Sequence, residues 1–314
     1  MGMVESTTTV RSEGGSRVLV TGAHGFTGMP MCRELERAGY EVISTVLEGA
    51  GKGEVDLDIA SADACRSVAQ QVQPDFVVNL AGISFLQHPN PADFYRVNVV
   101  GTMNLLHALA DAPRMPRKVL IVSSANIYGQ VGGDLIAEDQ PPAPVNHYAA
   151  SKVAMELMAA TLFARLPIVI TRPFNYTGPG QGLQFLVPKI VSHFARRAPV
   201  IELGNIDVER DFSDVAMVVD AYRRLLESEA RSVSVNICTG RVTSLRSVIG
   251  MMEEIAGYRI EVRVNPQFVR SNDILRLSGN PRALIDAIGP LKQVPLHETL
   301  EHMYQTMQGS ALAA

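Results

Sequence analysis

Residues 17–28 read Arg17-Val18-Leu19-Val20-Thr21-Gly22-Ala23-His24-Gly25-Phe26-Thr27-Gly28. A short apolar run ends in glycines spaced G-x-x-G-x-x-G, and a helical pattern follows from about Thr27 to Ala38, closed by Gly39. A glycine triplet alone is weak evidence. A triplet that ends a strand and opens a helix has the context that a dinucleotide-binding loop requires. Gly22 then permits the tight turn, and Gly25 lets backbone approach a pyrophosphate, which the helix N-terminus favours electrostatically. Gly28 lets the helix pack close to the strand. Phe26, inside the loop, is a further candidate cofactor contact. Pro30 fits an early helical turn, where few N–H groups are bonded.

Working outward, the same alternation continues. Tyr40–Val46 is the next β-like run, and Phe76–Leu80 and Val119–Ser123 are continuous apolar runs, as expected of parallel strands covered on both faces. Ala64–Gln71 and Asn98–Ala110 are helical stretches, and Ile168–Thr171 and Ser234–Cys238 add two strands. This order implies an α/β protein, a Rossmann doubly wound parallel sheet. After about Arg172 the segments shorten and gain Gly and Pro, as in PFNYTGPGQG, ELGNIDVERDF and NPQFVRSNDILRLSGNPRAL. We read residues 17–172 as the dinucleotide-binding domain, with a return segment near 230–250. Residues 173–314 are mainly a smaller C-terminal substrate-binding region. Residues 1–16 are polar and rich in Ser, Thr and Gly, which reads as a disordered tail.

Composition narrows the class. The 314 residues, 46% of them hydrophobic, suffice for a sizeable core, and the net charge of −4 marks neither a nucleic-acid binder nor a membrane binder. Cys32, Cys65 and Cys238 are scattered and read as free thiols in a reducing cytoplasm, with no metal site. No stretch is apolar and long enough for a bilayer span. The expected location is cytoplasmic.

Further cofactor contacts are expected beyond the loop. Asp58 and Ile59 follow the third strand, and the Asp58 carboxylate is placed to accept the adenine amino group or, alternatively, to cap the next helix. Asp56 is its neighbouring contender. Asn79-Leu80-Ala81-Gly82 ends the fourth strand with small residues, so that Leu80, Ala81 and Gly82 let backbone pass close to the cofactor. Asn98, expected to open a helix, can cross-link that turn by hydrogen bonding. The choice between NAD and NADP is open. The second strand does not end in an acid for the ribose hydroxyl, and Glu48 lies close by. No Arg or Lys stands beside the glycine loop or directly after that strand to hold a 2′-phosphate.

The chemistry points to Tyr148-Ala149-Ala150-Ser151-Lys152. A phenol and an ammonium four residues apart share one helix face. A nearby cation, with a cationic nicotinamide, lowers a tyrosine pKa and readies it as acid or base. The segment Val122-Ser123-Ser124-Ala125-Asn126-Ile127-Tyr128-Gly129, just after a buried strand, offers Ser124 to polarise a substrate oxygen beside Tyr148.

TGAHGFTG, NLAG, SSANIYG, YAASK and RPFNYTGPGQ, in this order, resemble the extended short-chain dehydrogenase/reductases that act on nucleotide sugars. The resemblance covers the chain after residue 16. RPFNYTGPGQ, LGNIDVERDFSDV and the stretch around VRSNDILRLSGNP look most like the subgroup that reduces the C4 ketone of GDP-4-keto-6-deoxy-D-mannose to GDP-D-rhamnose. The resemblance implies that Ser124 and Tyr148 act on the substrate oxygen, with Tyr148 as proton donor or acceptor, and that Lys152 binds the nicotinamide ribose. It implies that Asn175 touches the sugar diphosphate, that Arg210 and Arg270 stand near the nucleotide, and that Val187 and Lys189 line its pocket. It also implies a homodimer built through helices like the one bearing Tyr148. Related 4,6-dehydratases carry an acidic pair after the catalytic Ser or Thr. Here those positions are Ala125 and Asn126, which argues against dehydration. A nucleotide-sugar 4-epimerase with bound NAD is the alternative on the same residues. A non-catalytic dinucleotide sensor is the alternative of another class.

Overall fold

The computed structural model describes residues 15–131, 135–268 and 274–312. The expected tail at 1–16 therefore lies almost wholly outside the described residues, and so does Arg270.

Seven parallel strands form the central sheet: β1 Arg17–Thr21, β2 Glu41–Val46, β3 Glu54–Asp56, β4 Phe76–Asn79, β5 Lys118–Val122, β6 Ile168–Pro173 and, seventh in the sheet, β11 Val233–Ile237. Their order across the sheet is β11-β6-β5-β4-β1-β2-β3. The strands are apolar because both faces are covered. One face packs under α2 Ala62–Val72, α4 Thr102–Ala110 and α5 His147–Ala160, around Leu19, Val77, Leu105, Leu109 and Met155. The other packs under α1 Gly28–Arg37 and α7 Val215–Glu227, around Val18, Val20, Met31, Leu35 and Tyr222. Between β6 and β11 the chain leaves the sheet and comes back through α7.

The order reverses at β1, between β4 and β2, so the carboxyl ends of β1 and β4 bound the crevice where such sheets take ligands. Beside this sheet stands a second core. It contains Ile190, Phe194, Leu203, Val248, Met252 and Leu300, from α6 Leu186–Ala195, β8 Val200–Leu203, α8 Leu245–Ala256 and α10 Leu296–Leu312. Three short pairings form two small sheets: Phe212–Asp214 runs beside Asn175–Thr177, and Glu209–Arg210 pairs with both Thr243–Ser244 and Arg276–Leu277.

One boundary differs from the sequence reading. Asn98 does not open a helix. A helical run begins with Pro91–Asp93, passes through a π-helical segment Phe94–Gly101 and continues as α4, so Asn98 sits in mid-run. The start signal is Asn90, whose side chain accepts the N–H of Ala92, followed by Pro91 at the first helical position.

Candidate active site

The glycine loop has the geometry that its spacing implies. Gly22 lies at φ +66°, and a Cβ there would stand 3.0 Å from the backbone of Leu80 and Ala81. A Cβ on Gly28 would strike the backbone of Gly22 and Ala23, with the Ala23 carbonyl carbon at 2.6 Å. These two glycines thus bring β1, the β4 turn and α1 into backbone contact. Gly25 donates to the Gly22 carbonyl at 3.0 Å. The phenyl ring of Phe26 stacks on Tyr176, with centroids 5.8 Å apart, and Thr27 bonds the Tyr176 hydroxyl at 2.8 Å.

Sequence reasoning missed what ties β1 to β4. Buried Thr21 donates to Asn79 Oδ1 at 2.6 Å and accepts the N–H of Ala81 at 3.1 Å, while Asn79 Nδ2 reaches Thr102 at 3.1 Å. The available signal was a threonine and an asparagine ending two adjacent apolar strands, where an unpaired polar group would be costly to bury.

Asn98 is fully buried and holds the next turn. Its Oδ1 accepts the N–H of Ile83 at 2.9 Å, and its Nδ2 donates to the Ile83 carbonyl and to Ser151 Oγ, both at 3.1 Å. Ser151 in turn donates to the Tyr148 carbonyl at 2.7 Å. One side chain therefore fixes the β4 turn to the helix that bears Tyr148.

Tyr148 is the second residue of α5, whose first turn is capped by Asn146 accepting from Ala149 at 2.8 Å. Lys152 lies one turn later on the same face. Its Nζ donates to the Val122 carbonyl, at the end of β5, at 2.7 Å. Ser124 follows β5, with its Oγ accepting from the backbone and side-chain nitrogens of Asn126 at 3.2 and 3.1 Å. Ser124 lies near the Tyr148 phenol and lowers its pKa slightly. Phenol, ammonium and hydroxyl are all buried.

Burial pushes the Tyr148 phenol up to about 12, against a smaller lowering by nearby Ser124. In the protein alone, desolvation of the phenolate sets the direction, and Lys152 does not offset it. Burial pushes the Lys152 ammonium down to about 8, with Glu156 working the other way. The arrangement therefore holds a proton on Tyr148 at neutral pH, suited to donation. The residues present also fit a dinucleotide. A Cβ on Gly82 would stand 2.9 Å from Asn98 Oδ1 and 3.7 Å from Lys152 Nζ, so only a glycine keeps that strip open beside the ammonium.

The remaining candidates scatter. Asp58 is exposed and accepts the N–H of Ala60 at 2.9 Å, while Ile59 is buried under α4. Asp56 accepts from Ala50 at 2.8 Å, and Glu48 lies beyond the end of β2. Asn175 is exposed and opens the short strand paired with Phe212. The Arg210 guanidinium donates through Nη1 to the carbonyls of Glu209 at 2.9 Å and Leu275 at 3.3 Å. Val187 is packed in the second core, whereas Lys189 donates to the Glu202 carbonyl at 2.9 Å and covers the Phe268 ring. Among the described residues, no cluster of His, Cys, Asp or Glu is arranged to hold a metal ion, and no helix is long and apolar enough to cross a membrane.

A doubly wound parallel sheet, a strand–glycine loop–helix turn at its switch point and a buried Tyr-Lys pair beside it define an NAD(P)-binding Rossmann enzyme. The chain belongs to the NAD dependent epimerase/dehydratase family, whose model matches residues 18–238. It is 36% identical over 291 residues to the GDP-6-deoxy-D-talose 4-dehydrogenase of Aggregatibacter actinomycetemcomitans, covering 92% of this chain and 97% of the relative. It is 33% identical over 238 residues to the GDP-6-deoxy-D-mannose reductase of Pseudomonas aeruginosa, covering 72% and 78%. A Pseudomonas aeruginosa structure in complex with NADPH is 29% identical, with a TM-score of 0.83 over 94% of this chain and 98% of that one.

Proposed function

We propose that this protein is a nucleotide-sugar 4-keto reductase that converts GDP-4-keto-6-deoxy-D-mannose to GDP-D-rhamnose. The observation that carries the reading is the buried phenol of Tyr148, protonated at neutral pH, close to buried Ser124 and one turn from the Lys152 ammonium. In this reading Ser124 and Tyr148 both address the C4 oxygen. Ser124 polarises it, and Tyr148 gives up its proton as negative charge develops there. The bound nicotinamide supplies the hydride. Lys152 holds the ribose hydroxyls, and its positive charge favours the phenolate left after proton transfer. Asn175 is assigned to the sugar diphosphate, Arg210 and Arg270 to the nucleotide, and Val187 and Lys189 to the lining of its pocket.

The two curated relatives support the substrate class, since both are named for GDP-6-deoxyhexoses. The first is named for the talose sugar, the C4 epimer of the rhamnose one, and so favours hydride delivery to the opposite face as a second reading. One assay tests all of this. The purified protein is incubated with GDP-4-keto-6-deoxy-D-mannose and NADH or NADPH, nicotinamide absorbance is followed and the product sugar is identified. Stoichiometric cofactor consumption with GDP-D-rhamnose as product is expected. GDP-6-deoxy-D-talose would select the other face. Interconversion of C4 epimers without net cofactor consumption would identify an epimerase, and an absence of turnover would leave a sensor.

The same reading includes a homodimer. Tyr95, Val100, Leu157 and Met158 are exposed on the helical run 91–110 and on α5, an apolar surface suited to a second copy of the chain. Sedimentation equilibrium should give twice the chain mass.

A further inference from the structure

A side-chain clasp joins the glycine loop to β3. His24, between Gly22 and Gly25, brings Nε2 to 2.5 Å from Glu54 Oε1. The other carboxylate oxygen accepts the N–H of Gly51 at 2.9 Å. The Gly51 bond, and after it the His24 bond, hold the Glu54 carboxyl below its usual range, so it is ionised. Glu54 is the first residue of β3 and lies in register beside Ser44 of β2.

In a doubly wound sheet, the adenosine ribose of a dinucleotide rests at the carboxyl end of the second strand. An acid about twenty residues beyond the glycine loop binds its 2′-hydroxyl there, or an arginine receives a 2′-phosphate. Here β2 ends in Val46, and the first acid beyond it, Glu48, stands past the strand. Glu54 opens the neighbouring strand level with Ser44, two residues before that end, and its carboxylate reaches His24 in the loop over which a dinucleotide lies. We infer that the His24–Glu54 clasp is the cofactor selector of this enzyme, favouring NAD(H) over NADP(H).

Charge decides the direction. Residues 47–56 carry three carboxylates, Glu48, Glu54 and Asp56, against one ammonium, Lys52. A 2′-phosphate would add close to two further negative charges beside a fixed anion. A 2′-hydroxyl instead donates to it, because a carboxylate oxygen with one partner still has acceptor capacity. The bond to Glu54 engages His24 Nε2, so its role is to orient the carboxylate.

The test is dinucleotide binding without any sugar, by calorimetry on the intact protein, which keeps it independent of the substrate assignment. Wild type should bind NADH at least tenfold more tightly than NADPH. Glu54→Gln should shrink that ratio to about threefold or less, chiefly by improving NADPH. His24→Ala should weaken NADH and leave NADPH no weaker, with thermal melts showing that both variants fold. NADPH bound as tightly as NADH by wild type, an unchanged ratio in Glu54→Gln, or a selective loss of NADPH in His24→Ala would each overturn the assignment. The last result would make His24 a cation for the 2′-phosphate.

Discussion

The guanidinium of Arg172 clasps the carboxylate of Glu156, with Nε donating at 3.1 and 3.2 Å and Nη2 at 2.7 Å. Glu156 lies one helical turn beyond Lys152, and Arg172 stands at the end of β6, so the pair pins the reactive helix to the sheet. Arg172 Nη1 also reaches the Tyr128 hydroxyl at 2.9 Å and the Glu138 carbonyl at 2.8 Å. Both ions are about nine-tenths buried. Removing one partner of such a pair leaves an uncompensated charge. Arg172→Leu should therefore cost about 3–5 kcal/mol in denaturant unfolding. A loss below about 1 kcal/mol would mean that water reaches Glu156.

The Tyr148 assignment makes a kinetic prediction. Tyr148→Phe keeps the ring near Phe94, whose centroid is 6.0 Å away, and removes only the hydroxyl. Turnover should fall by two or more orders of magnitude, roughly the worth of a placed acid–base group, with dinucleotide affinity retained. Near-normal turnover would remove Tyr148 from the reaction.

Lys152 links the site to stability. Its folded pKa, about 8, lies below that of a free lysine, so between about pH 8 and 10.5 the unfolded chain binds the extra proton. That contribution makes stability rise with pH across the window. Below pH 8 the buried ammonium costs its full penalty, roughly 3 kcal/mol for a displacement of this size. Lys152→Met removes the titration. The stability of Lys152→Met relative to wild type should be greatest near pH 7 and should fall steadily towards pH 10. A difference independent of pH, from urea titrations at four pH values, would show that the ammonium is not desolvated.

Much of this is legible in the sequence. The strands are apolar because the sheet is covered on both faces, and the glycines mark places where a Cβ would strike backbone, as at Gly28. Ser124, Tyr148 and Lys152 come together because a strand end and one helix face are local features. The π-helical turn around Asn98 left no such trace. It depends on a buried amide meeting Ile83 and Ser151, contacts between distant segments. The same holds for Thr21 with Asn79 and for His24 with Glu54. Val187, which the resemblance alone gives to the nucleotide pocket, lies among the buried side chains of the second core.

Gly25 separates loop geometry from fold. A Cβ there meets only the Gly22 carbonyl, at 3.1 Å, far milder than the clash at Gly28. Gly25→Val should therefore fold, while its branched side chain blocks the approach of a pyrophosphate to the backbone. Calorimetry should show a sharp loss of affinity for both dinucleotides. Unchanged binding would place the cofactor elsewhere.

Arg210 tests the substrate half of the site. It lies in Glu209–Arg210, the middle strand of a three-stranded sheet that joins Thr243–Ser244 to Arg276–Leu277. Its Nη1 donates to the carbonyls of Glu209 and Leu275, which orients the planar group. Next to it, the carboxylate of Asp211 is fully buried and accepts from Thr239 N and Oγ1 at 2.9 and 2.7 Å and from Gly240 N at 2.8 Å. The backbone beside Arg210 is thus tied to Thr239 and Gly240. A nucleoside diphosphate brings about two negative charges into a partly desolvated cleft, and an oriented guanidinium suits it. Arg210→Ala should weaken binding of GDP and of the GDP-sugar alike by roughly ten- to a hundredfold, the worth of one charge-assisted hydrogen bond of ~1.5–3 kcal/mol. Dinucleotide affinity should not change. The competing role is a strut for the small sheet. A strut would show itself as a lower unfolding midpoint with unaltered GDP affinity, and that outcome would take Arg210 out of the substrate site.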